Sequence, residues 1–339
     1  MLNRIILKSL VVVSLLSAVG CAVQSSDQEM ASDQEMASDQ ELASDQEMSA
    51  DRINKARLLN NIKTLSSDAF QGRQTATEGG AMAASFVREA FTEMGIGSCF
   101  ETLDMSFEFA SRRTGEVTQG VNLVGFIPGT GSSTKTIVVT GHFDHLGIRQ
   151  DEIFNGADDN ASGTGAMLEI ARYFVTHPPI HPMIFAGLDA EEMGLQGARA
   201  LVKSTCITAR DIALNINMDM VSRSPKGELY ATGTRHYPFL IPTLESLPAR
   251  DGVTLLLGHD EPGTGSDDWT NSSDHGPFHQ LGIPFIYFGV EDHPGYHNPS
   301  DDFADITPDF YYQTTQLILD AILAFDQSVD DFPLQSGSK

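Results

Sequence analysis

From residue 50 onward the apolar positions recur at two spacings. Between Asp51 and Leu65, and again between Gly79 and Met94, they return at the helical period, which gathers them on one face. Ser162–Thr176, Leu195–Lys203, Pro238–Leu247 and Pro308–Phe325 also carry helical patterns. Between these stretches lie short apolar runs rich in β-branched residues: Val121–Phe126, Thr136–Thr140, Met183–Leu188, Ile212–Met218 and Ile283–Phe288. A run that is apolar on both faces of the chain suits a strand covered on both sides. The order predicts an α/β fold, one three-layer α/β/α sandwich around a mixed, mostly parallel sheet, over residues 50–328, with 329–339 as a C-terminal tail.

Ahead of this region the pattern changes twice. Residues 1–20 have a basic start at Arg4 and Lys8, a short apolar run from Leu10 to Leu16, and small residues up to Gly20 before Cys21. The run is too short to span a bilayer, so the segment reads as a cleaved export signal. Its end resembles a bacterial lipoprotein signal that would leave Cys21 lipidated, although Ala18 stands where leucine is usual, and plain cleavage nearby is the alternative. The expected location is therefore the periplasmic or cell-surface side of a bacterial membrane, with attachment only through Cys21. Within residues 21–49, the repeated Ser-Asp-Gln-Glu-Met-Ala unit is acidic and cannot bury a core, so this stretch reads as a flexible tether.

Charge narrows the partners. The formal net charge of −25 offers no basic face for a phosphate backbone, which excludes nucleic acid. Beyond Cys21 only Cys99 and Cys206 remain, and two buried free thiols are favoured over a disulfide, because their separation in sequence carries no geometric information.

Several acids and histidines follow the strand-like runs, where loops of an α/β sheet collect ligands. Thr136–Thr140 leads into Gly-His142-Phe-Asp144-His145. The His-x-Asp spacing puts both side chains on one side of an extended chain, which suits a metal-bound imidazole with its orienting carboxylate, or simply a solvated pair. Asp158 and Asp159 precede a helical stretch and fit either a helix cap or a cation. Glu191 and Glu192 follow Leu188, and Asp219 follows an apolar run in which an unpaired carboxylate is costly. His293 and His297 stand in a late loop ahead of Asp301. Nitrogen and carboxylate donors without thiolates suit zinc.

In their order, Gly-His-Phe-Asp-His, Gly-Ala-Asp-Asp-Asn-Ala-Ser-Gly, Glu-Glu-Met-Gly-Leu, Asn-Met-Asp-Met and Tyr-His-Asn-Pro-Ser-Asp resemble the di-zinc aminopeptidase family. That family includes bacterial leucyl aminopeptidases, with glutaminyl cyclases and glutamate carboxypeptidases as more distant relatives. The resemblance runs from about Asp51 to Phe325. It implies a zinc exopeptidase-like fold, two zinc ions and peptide substrates. It also implies that Asp158 bridges the ions, that His142 and Asp219 complete one site, and that Glu192 and His297 complete the other. Glu191 becomes the general base, Asp144 orients His142, Asp301 orients His297, and the Asp158–Asp159 peptide is cis. His145 is expected to pack behind the ligands rather than to bind metal, His293 reads as a pocket-edge or a plain loop residue, and Asp274 as a cap or a contact for the substrate amine. Rival readings are a cyclase with one zinc, a carboxypeptidase using Arg149, Arg223 or Arg235 as its clamp, and a non-catalytic binding protein. Phe288, Tyr230 and Phe303 fit a pocket wall or the core.

Overall fold

The computed structural model describes residues 52–110, 115–208 and 210–333, and the described residues from Ile53 onward form one compact unit. The expected signal, lipidated Cys21 and acidic tether lie outside the described residues. No helix among the described residues is long and apolar enough to cross a membrane.

Among the described residues ten strands follow in chain order: β1 (Asp104–Ala110), β2 (Val117–Ile127), β3 (Lys135–His142), β4 (Gly147–Arg149), β5 (Glu152–Phe154), β6 (Met183–Leu188), β7 (Asp211–Met218), β8 (Glu228–Thr232), β9 (Thr254–Leu257) and β10 (Phe285–Gly289). Eight of them form one sheet in the order β1-β2-β6-β3-β7-β10-β8-β9, while β4 and β5 make a separate hairpin. The centre, β6-β3-β7-β10, is parallel throughout. Antiparallel pairs join β1 to β2, β2 to β6 and β10 to β8, and β8 pairs parallel with β9.

Alternation along each central strand feeds two cores. Ile137 and Val139 of β3, with Met183 and Phe185 of β6, join the larger one. Val138, Ile184, Ala186 and Leu188 face the smaller one. The larger core is roofed by the long helices α1 (Lys55–Leu65), α2 (Glu78–Met94), α3 (Gly163–Thr176) and α4 (Pro308–Ser328), through residues such as Leu58, Phe91, Ile170 and Ile318. The smaller is covered by the short helices Gln196–Leu201, Thr205–Thr208 and Gly276–Gln280, through Ala198, Leu201, Cys206 and Phe278. Each fully buried aliphatic or aromatic side chain contributes about 1.5–3 kcal/mol, so removing Phe185 or Ile318 from these layers would be felt throughout. The helix ends are set locally. Asn54 accepts the Arg57 N–H at the start of α1, and Gly95, at φ 68°, ends α2 in the left-handed conformation.

The expected sandwich is present, with differences in detail. β3 extends as far as His142, so this histidine stands on the strand itself. The strands β1, β8 and β9 lie outside the elements expected from the apolar runs. Cys99 and Cys206 are not free thiols but form a disulfide with Cα atoms 5.6 Å apart. Both pack against the smaller core, which brings together residues 107 apart in sequence. The fold also runs past residue 328: Val329 is buried, and Phe332 packs on Phe239 and Phe325.

Candidate metal centre

The C-terminal ends of β3, β6 and β7 converge on two groups of donors. His142, Glu191 and Asp219 make one; His145, Asp159 and Glu192 make the other. Between them stands the buried Asp159. Its Oδ1 lies 3.6 Å from His142 Nε2, and its Oδ2 lies 3.2 Å from His297 Nε2 and 3.8 Å from His145 Nδ1. One carboxylate thus presents one oxygen to each side.

In the first group His142 Nδ1 faces the Asp144 carbonyl oxygen at 3.1 Å, which turns Nε2 inward toward Asp219 Oδ1 at 3.3 Å. Neither His142 Nε2 nor Asp219 Oδ1 has a hydrogen-bond partner, although both are buried. Leaving such atoms unpaired costs about 1–3 kcal/mol each, and a cation would remove that cost. Burial works to lower the pKa of His142, but Asp219, Glu191 and Asp144 outweigh it and hold it well above the ordinary value. Burial works to raise that of Asp219, and His142 reverses the balance, leaving it lowered. Glu191 is pushed well above the usual carboxylate range by burial, with His142 opposing and Asp274 adding to the rise.

In the second group Glu192 Oε1 is 2.8 Å from His145 Nδ1, and its Oε2 is 3.6 Å from His297 Nε2. Burial raises the Glu192 pKa to about 7 against the pull of His297, and lowers that of His145 to about 3 against the pull of Asp159. His145 Nδ1 and Glu192 Oε1 are again buried and without hydrogen bonds. The donor set, imidazoles and carboxylates without thiolate, fits zinc on both sides.

Asp158 does not join either group. Its Oδ1 accepts from the main-chain N–H and the hydroxyl of Ser222, both at 2.7 Å, and its Oδ2 faces His293 Nε2 at 3.1 Å. The shared position belongs to the next residue, Asp159, because the chain turns between Gly156 and Asn160. Gly156 takes φ 54°, and a Cβ there would sit 2.1 Å from the Asp159 carbonyl oxygen and 2.5 Å from the His145 ring. The cis peptide is Asp159–Asn160, one bond later than expected. Asp301 does not orient His297; its carboxylate accepts the main-chain N–H groups of Asp158 and Asp159 at 3.0–3.1 Å and so fixes the turn. His293 clamps Asp158, a role that its loop setting did not reveal. Asp144 acts on His142 through its carbonyl, while its carboxylate accepts the main-chain N–H groups of Glu191 and Glu192.

Beneath the site lies a residue that the sequence pattern did not single out. Arg73 is fully buried and donates to the carbonyl oxygens of Phe143, Leu65, Asn155 and Gly156. It ties the end of α1, the end of β3 and the turn that carries Asp159.

A cleft of about 460 Å³ opens over the donors, lined by Glu191, Asp219, Trp269, Tyr287, Asp292 and Tyr296 among others, and by no lysine or arginine among the described residues. Phe288 is core, Tyr230 packs on His259 and Trp269, and Phe303 packs beside the larger core.

Fold and site together define an α/β/α protein with two candidate cation-binding donor groups at its strand ends. The family model for peptidase family M28 matches residues 122–322. The chain belongs to that metallopeptidase family. It is 30% identical over 201 residues to aminopeptidase YwaD of Bacillus subtilis, covering 55% of this chain and 40% of that protein. The chain thus spans less than half the length of this relative. Among solved structures, BSAP, a zinc aminopeptidase from Bacillus subtilis, matches with TM-score 0.61 at 18% identity over 84% of this chain and 97% of its own. Glutaminyl cyclase of Bacteroides thetaiotaomicron matches with TM-score 0.63 at 17% identity over 80% and 98%. At these identities the likeness is one of fold.

Proposed function

We propose that this chain is a zinc aminopeptidase that binds two ions per chain and releases N-terminal residues from peptides. The observation that carries the reading is Asp159, whose two oxygens face two separate donor groups. His142 and Asp219 would hold one ion, Glu192 and His297 the other, with Asp159 shared. Bound zinc supplies Lewis-acid polarisation of the scissile carbonyl and makes water acidic enough to deprotonate near neutral pH. Glu191, seated by its own N–H on Asp144, takes a proton from the attacking water and returns it to the leaving amine.

The amino-terminal direction follows from charge. Asp159, Glu191, Glu192, Asp219 and Asp292 line the cleft with no lysine or arginine among the described residues, which favours a free amine and disfavours a terminal carboxylate. The three arginines weighed for a carboxypeptidase clamp stand outside this lining: Arg235 pairs with Glu261, Arg149 lies over the Phe154 ring, and Arg223 is absent from the cleft wall. Export with anchoring at Cys21 belongs to the same proposal, and the Cys99–Cys206 bond suits an oxidising compartment.

Aminoacyl fluorogenic substrates test the reading, assayed with and without chelator and zinc restoration, beside the same substrates carrying an acetylated amine. Cleavage of the free-amine series only, lost on chelation and restored by zinc, is the expected result. Activity indifferent to chelation would overturn it. One zinc per chain with cyclisation of N-terminal glutamine would favour the cyclase instead.

A further inference from the structure

The two donor groups are unequal. The His142 side has His142, Asp219 and the near oxygen of Asp159, with Glu191 opposite. The other side has Glu192, His297, the far oxygen of Asp159 and, in addition, His145. This last residue is 1% exposed, and its Nδ1 lies 2.8 Å from Glu192 Oε1 without forming a hydrogen bond, so its N–H direction does not meet that oxygen. Two donors around a common tetrahedral ion with bonds of about 2.0 Å stand about 3.3 Å apart. The His145 separations of 2.8 Å to Glu192 and 3.8 Å to Asp159 straddle that edge. The ring is also held in place: its face lies against Gly156, where a Cβ would meet it at 2.5 Å, and its main-chain N–H donates to the Arg73 carbonyl oxygen.

We propose that His145 is a third imidazole of the metal pair, a fourth protein ligand to the ion held by Asp159, Glu192 and His297. The inference rests on the two-metal peptidase reading. Four protein ligands close a zinc site, whereas three leave a position for water. The His145 side is then the closed, tightly held position, and the His142–Asp219 side keeps the open one, next to Glu191.

The deciding measurement is a count of imidazoles on the wild-type protein loaded with two cobalt ions. Each cobalt-bound histidine gives a hyperfine-shifted ring N–H resonance in proton NMR, and the proposal expects three such signals, from His142, His145 and His297. His145→Ala should then show two. Two signals from the wild-type protein would overturn the proposal while leaving the peptidase reading intact; failure to bind two cobalt ions would sink both. A loss of affinity in His145→Ala is not decisive alone, because a residue that only orients a ligand also costs about 10–100-fold. The wild-type count needs no variant, so a folding defect in His145→Ala does not blur the answer. As a second readout, stepwise chelation of the zinc form should remove one equivalent readily and retain the other, and His145→Gln should abolish that difference. Equal release of both ions from the wild-type protein would count against the proposal.

Discussion

The carboxylate of Asp144 accepts the main-chain N–H of Glu191 at 3.0 Å, while its carbonyl oxygen lies 3.1 Å from Nδ1 of His142. A single residue therefore sets both a metal-facing imidazole and the glutamate across from it. Asp144→Asn leaves the carbonyl contact in place but replaces one accepting oxygen with a donor that opposes the N–H groups of Glu191 and Glu192. The expected result is a kcat lowered by about 10–100-fold with zinc content retained, read by steady-state kinetics and elemental analysis.

The proposed function makes Asp159 a shared ligand and leaves the adjacent Asp158 as a structural clamp. Asp159→Asn should leave fewer than two zinc ions per chain. Asp158→Asn should keep both and cost about 1–3 kcal/mol of stability, since Ser222 and His293 lose a charged partner. Metal content and denaturant unfolding of the two variants check this. Full metal loading of Asp159→Asn would remove the central assignment.

Glu191→Gln should retain both metals and lose about 10²–10⁴-fold in turnover, the range of a positioned general base. Near-normal rates in this variant would reassign the base.

Asp189 gives a pH signature independent of turnover. Its carboxylate is buried and accepts from Thr75, Val121 and Ala190, and burial together with Asp144 raises its pKa to about 7. The unfolded value is about 3.9, so between those two pH values the folded state holds a proton that the unfolded state has lost. Its contribution is fully present below the unfolded pKa and is lost as pH rises toward 7, with a slope approaching about 1.4 kcal/mol per pH unit. In the metal-free protein, Asp189→Asn should flatten the stability profile in that window. An unchanged slope would show that Asp189 does not carry it.

Reduction of Cys99–Cys206, or replacement of both by serine, releases a loop spanning 107 positions and should lower stability by about 2–4 kcal/mol. Thermal unfolding with and without reductant reads this directly.

The central strands were legible because β3, β6, β7 and β10 bury both faces and so appear as unbroken apolar runs. β1 stands at a sheet edge with every second residue of its later half exposed, and β8 and β9 are short and only partly buried, so none shows that signal. At the site, residue types and order identified which segments meet. They did not separate Asp158 from Asp159, whose chemistry is identical; the backbone turn after Gly156 and the amide bonds to Asp301 decide which carboxylate faces inward. His145 looked like packing because its partners arrive from residues 159 and 192. Arg73 left no pattern, since each of these guanidinium hydrogen bonds ends on a main-chain carbonyl.

That last property has an evolutionary corollary. Carbonyl oxygens exist whatever side chain a position bears, so the guanidinium's grip sets no side-chain requirement of its own at 65, 143 or 155, whereas position 156 is held to glycine by the crowded turn. An insertion or deletion in the same segments moves the oxygens themselves. Around this arginine, divergence in spelling is tolerated where divergence in length is not, and loop-grafting between homologues should respect that boundary.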